Sequence, residues 1–105
     1  MRLHRAIAEH QEAIAAICRR YGVRRLEVFG SAACGGDFDE TRSDADFLVQ
    51  FTGDGKFGPL EEFFGLREAL SQVLMRPVDL TEPGAIRNPY VKRAIDQTRE
   101  LVYAA

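Results

Sequence analysis

VFGSAACGGDFDETRSDADFLVQF, residues Val28–Phe51, decides the fold. Within it a run of small residues, Gly30 to Gly36, follows one apolar run, and the pair Asp44 and Asp46 opens another. Side chains alternate faces along a strand, so Asp44 and Asp46 point the same way with Ala45 between them. Two like charges so close are costly unless they share a cation or a proton. The stretch therefore reads as a strand ending in a phosphate-holding turn, a loop, and a second strand carrying two metal-binding acids. Ser31, Ala32 and Ala33 can open a short helix whose N-terminal amides point at whatever sits above the strand end.

Upstream, Leu3, Ile7, Ile14, Ile17, Cys18 and Tyr21 recur at spacings of three, four and seven, which predicts one amphipathic helix over residues 3–21, stopped by Gly22. Arg24 to Gly30 alternates charged and apolar residues and predicts the first strand; Asp44 to Phe51 is the second. Downstream, Pro59 suits the first turn of a helix with a broad apolar face through Leu74. Pro77 to Thr81 predicts a short strand bearing Asp79, and Glu82 to Pro89 a turn. Asn88 and Pro89 look like cap and first position of a last helix, with Val91, Ala94, Ile95, Thr98, Leu101 and Val102 on its face. The order is helix, strand, short helix, strand, helix, strand, helix. It predicts an α/β (α+β) fold, a small mixed sheet of three or so strands covered by helices. If the third strand lies next to the second, Asp79 meets the acid pair on the same face.

The totals bound the answer. A chain of 105 residues is the size of one domain, taken here as residues 1–105, and 46% hydrophobic with 29% charged residues is ordinary globular composition. No apolar run approaches the roughly 20 residues that span a bilayer, and the charged MRLHRAIAEH start does not resemble a signal peptide. A cytoplasmic protein with no membrane association is expected, with Cys18 and Cys34 as free thiols. A formal net charge of -2 argues against direct nucleic-acid binding. The basic residues are nearly all arginine, and the cluster Arg19, Arg20, Arg24 and Arg25 reads first as a solvated helix end and turn.

Three carboxylates converging beside a glycine-serine turn suit phosphoryl or nucleotidyl transfer. Magnesium takes oxygen ligands and shares them with substrate phosphates, so two or three protein acids plus a triphosphate complete its shell. With two ions, one activates the attacking hydroxyl and the other screens the leaving pyrophosphate. Rival motifs fail. A Walker loop needs glycine where Gln50 stands and serine or threonine where Phe57 stands; an EF-hand starting at Asp37 needs glycine where Arg42 stands. His4 and His10 lie six apart on the predicted helix, with no compact set of zinc ligands.

The combination of GSAA, SDADFLV and RPVDL resembles the nucleotidyltransferase superfamily that includes DNA polymerase β, and more closely its minimal nucleotidyltransferase group, antitoxin partners of HEPN-domain ribonuclease toxins. The resemblance covers Arg24 to Tyr103. It implies the nucleotidyltransferase fold, with Gly30 and Ser31 as the nucleotide-phosphate turn, Asp44 and Asp46 as the metal-binding pair, and Asp79 as the third acid, which also helps to deprotonate the acceptor. It further implies Mg2+ and ATP, with AMP transferred to a tyrosine hydroxyl of a HEPN toxin. Cys34 departs from the family pattern, which commonly has a basic residue there, and twelve residues separate Ser31 from Asp44, a longer spacer than usual. The alternative is a binding module that neutralises its toxin by complex formation only. Homo-oligomer formation stays open.

Overall fold

The computed structural model describes residues 5–29, 45–53 and 57–105. The chain runs through α1 (Arg5–Ala8), α2 (Gln11–Arg20), β1 (Val23–Phe29), β2 (Ala45–Phe51) and α3 (Pro59–Leu74). It continues through β3 (Val78–Thr81), a 3-10 turn (Pro83–Ala85), α4 (Pro89–Thr98) and β4 (Glu100–Ala104). The strands form one mixed sheet in the order β3-β2-β1-β4. β1 is antiparallel to β2 and to β4, while β2 and β3 are parallel. This is the mixed sheet with helices that the pattern predicts; the predicted short helix after Gly30 lies outside the described residues.

Local chemistry sets most of the boundaries. Gly22 takes φ +70 just beyond α2, a conformation that costs glycine little. Pro59 occupies the first turn of α3, where a missing N–H costs nothing. Asn88 caps α4: its Oδ1 accepts a hydrogen bond from the Tyr90 N–H at 2.9 Å. α3 ends less comfortably. Met75 holds a left-handed conformation (φ 56, ψ 43) and is 88% exposed. Left-handed backbone costs an L residue about 1–2 kcal/mol, part of which glycine returns as unfolded-state freedom. Met75→Gly is therefore expected to stabilise the fold by about 0.5–1 kcal/mol, read as a higher urea midpoint at unchanged slope.

Two elements differ from the sequence pattern. The first helix is interrupted at Glu9–His10, where the His10 N–H bonds to the Ile7 carbonyl at 3.1 Å, a tight i to i−3 turn that ends α1. Neither glycine nor proline marks the break. The last helix stops at Thr98, and residues 100–104, the first three of them read as helical, pair with β1. Thr98 Oγ1 bonds back to the Ala94 carbonyl at 3.1 Å, and Arg99 turns extended. The exposed backbone edge of β1 then claims Leu101, Val102 and Tyr103, residue types that favour strands, so tertiary pairing overrides the helical spacing.

The core lies between α1–α3 and one face of the sheet. Ile7, Ile14 and Cys18 meet Leu66, Leu70 and Leu74 over Leu26, Val28, Ala45, Phe47, Val49 and Val78, all buried. A bulge between Val23 and Arg25 brings Val23, three residues before Leu26, onto this same face. Alternation leaves Glu27, Asp46, Leu48 and Asp79 on the opposite face. α4 lies against β1, and Arg99 just beyond it reaches Glu27, which places α4 on that second face.

Candidate active site

The parallel pairing of β2 and β3 sets Asp46 directly opposite Asp79. Adjacent strands lie about 4.8 Å apart, so two carboxylates in register on one face stand within reach of a single cation. The register is held from both ends. The Ala45 N–H donates to the Pro77 carbonyl at 3.0 Å, Arg67 Nε donates to the Val78 carbonyl at 3.1 Å, and Ser71 Oγ donates to the Arg76 carbonyl at 2.7 Å. α3 thus fixes the segment that carries Asp79. Asp46 is half-buried and Asp79 exposed, so the pair opens to solvent.

Phe29, the last residue of β1, is the register partner of Asp46 on the other side. Gly30 follows it directly in the chain, and Asp44 directly precedes Ala45 of β2. Gly30, Ser31 and Asp44 themselves lie outside the described residues, as do Cys34 and the spacer. Among the described residues no group of three or more His, Cys, Asp or Glu side chains comes together. The donor set that is described, two oxygen ligands on one open face, fits magnesium, which needs only one or two protein carboxylates when substrate phosphates supply the rest.

One charged group on this face went unread in the sequence. Glu27 is buried on β1 opposite Leu48, two residues from Phe29, the register partner of Asp46. Its carboxylate receives Arg99 through a fork, Nε to Oε2 at 2.9 Å and Nη2 to Oε1 at 2.8 Å, and Arg25 Nε at 3.2 Å. Burial pushes the carboxyl up, but the hydrogen bonds and charges of Arg99 and Arg25 outweigh it and hold the group below the ordinary glutamate range. Arg99 also donates to Asp96 at 2.9 Å. The pair clamps the corner between α4 and β4 onto the centre of the sheet. A glutamate inside the apolar run Leu26–Val28–Phe29 is the signal that could have shown it, though its partner lies 72 residues away.

Cys18 is free and buried, and burial pushes its thiol up to about 12 against the lowering effect of the Arg19 charge, which leaves it a packing residue. No helix among the described residues is long and apolar enough to cross a membrane.

Facing acids on adjacent strands of a mixed sheet suit metal-assisted phosphoryl or nucleotidyl transfer. The profile of the Nucleotidyltransferase domain family matches residues 10–102, and the chain belongs to that family, a nucleotidyltransferase as the motifs imply. A Methanocaldococcus jannaschii protein, provisionally named protein adenylyltransferase MJ0128, is 37% identical over 84 residues, 80% of this chain and 79% of its own. A solved structure provisionally described as a minimal nucleotidyltransferase superposes with a TM-score of 0.68 at 28% identity, covering 90% of each chain. The fold also matches, at a TM-score of 0.61 and 14% identity over 94% of this chain and 73% of the other, a complex described as tri-AMPylated Shewanella oneidensis HEPN toxin with MNT antitoxin.

Proposed function

We propose that this chain, as a single domain over residues 1–105, transfers AMP from ATP to a tyrosine hydroxyl of a HEPN-domain toxin and so acts in the cytoplasm as its antitoxin. The observation that carries the proposal is the register of Asp46 against Asp79. The names of the relatives, and the AMPylated toxin in one structural neighbour, support the choice of AMP and of a protein acceptor.

Asp44, Asp46 and Asp79 would hold magnesium, which when bound supplies charge screening at the phosphates and a lowered pKa at the attacking hydroxyl. Gly30 and Ser31 would contact the terminal phosphates of ATP, since neither residue type carries a bulky side chain that keeps backbone amides from them. Asp79 takes the acceptor proton as the hydroxyl oxygen bonds to the α-phosphorus and the bond to pyrophosphate breaks. Exposure of Asp79 suits an acceptor that arrives on another protein.

The contact-only reading keeps one observation in its favour, Cys34 in place of a basic residue. Co-expression with the toxin separates the two. Growth is rescued by the wild type and lost with Asp46→Asn if transfer silences the toxin; equal rescue by both would establish neutralisation by complex formation.

A further inference from the structure

At the end of β2 remote from Asp46, a cavity of about 510 Å³ opens between the start of α3 and Glu82. Among the described residues its walls include Phe51, Leu60, Phe63 and Phe64, and its acids are Glu62 and Glu82. Glu62 is only 5% exposed, and its Oε2 is buried with no hydrogen-bond partner among the described residues. The first turn of α3 favours a negative charge there, but a helix dipole supplies no donor to that oxygen. A buried carboxylate oxygen left without a donor loses its hydration with nothing in return, so such a site is suited to receive a cation or an N–H group. Among the described residues lining the cavity, none is basic.

We infer that this cavity receives an arginine side chain from a protein partner. The walls choose between cations. Phenylalanine faces attract organic cations, whereas a metal ion without substrate phosphates to complete its shell would want more oxygen ligands than these two carboxylates. Guanidinium is weakly hydrated and planar, so it enters a partly apolar cavity and forks onto a carboxylate more readily than an ammonium does. Two neighbouring side chains point to a macromolecule as the bearer. Leu60 is 73% and Phe64 55% exposed beside the cavity mouth, which gives an arginine-bearing surface an apolar rim to cover. Phe51 stands five residues along β2 from Asp46, about 17 Å at strand spacing, so a partner held here leaves the acids open.

The test is a titration of the intact chain with N-acetyl-arginine amide, followed through backbone amide shifts in NMR. N-acetyl-citrulline amide serves as the neutral isostere. Saturable shifts at Phe51, Gly53, Leu60 and Phe63 are expected with the arginine probe, about tenfold weaker binding in Glu62→Gln, and about tenfold weaker binding of citrulline. Should Glu62→Gln fail to fold, Glu82→Gln and Leu60→Ser, both at exposed positions, are expected to weaken the probe in the same assay. Equal binding of citrulline, equal binding by the variants, or no saturable shift would overturn the inference. So would a concentration-dependent dimer that dissociates on the same substitutions, since a second copy would then be the occupant.

Discussion

Asp46→Asn and Asp79→Asn are each expected to lower AMP transfer on the order of 10³-fold, about 4 kcal/mol of transition-state stabilisation, with folding intact. On the proposed reading both acids hold the same ion, so the double variant should lose little beyond either single one, the non-additivity of residues that act as a unit. Stability separates this from damage to the sheet. Like charges directly opposite one another in a sheet repel, so neutralising the exposed Asp79 should leave the denaturant midpoint at or above that of the wild type. Initial rates with labelled ATP, beside urea melts of the same preparations, check both halves. An Asp79→Asn protein that melts normally and transfers at the wild-type rate would remove β3 from the chemistry.

Arg99→Met carries the largest expected effect on folding. Removing one partner of a buried ion pair costs about 3–5 kcal/mol. Arg99 is 39% exposed and Arg25 stays beside Glu27, so solvent screening and the remaining cation reduce the expected loss to about 2 kcal/mol. Acid dependence gives a second readout. The folded Glu27 carboxyl lies below its ordinary value of 4.5, so its contribution is present above that pH and is lost as the pH falls below it through the folded value. In Arg99→Met burial is opposed by fewer donors, and this component of acid destabilisation shrinks or reverses. Urea midpoints measured across the window on either side of pH 4.5 compare the two proteins. An unchanged acid slope in the variant would mean that Arg99 does not hold the Glu27 charge.

The sheet strands that carry the acids were readable because they rest on local patterns. Alternation in ADFLVQF and VDL marks β2 and β3, and Asn88–Pro89 is a cap followed by a first-turn proline. A short connection between β2 and β3 favours neighbouring strands, which is why the meeting of Asp46 with Asp79 is legible in the sequence; that the two strands are parallel is not. β4 was not readable in that way. Thr98, Leu101 and Val102 fit a helical face as well as a strand, and the decision came from the open edge of β1, far away in sequence. The partnership of Glu27 with Arg99 was hidden for the same reason, being a contact between β1 and the corner that follows α4. The bulge at Val23–Arg25 inverts alternation within β1 without any glycine to announce it. Glu62 was likewise invisible, because a glutamate in the first turn of a helix is ordinarily a solvated residue.

The proposed transfer of a nucleotide from the site of the facing acids to a partner protein is tested most directly by the intact mass of a HEPN toxin after incubation with this chain, ATP and magnesium. AMP-sized increments on a toxin tyrosine are predicted, absent when Asp46→Asn replaces the wild type or when magnesium is chelated. A toxin that stays unmodified while forming a tight complex with the wild-type chain would contradict the account.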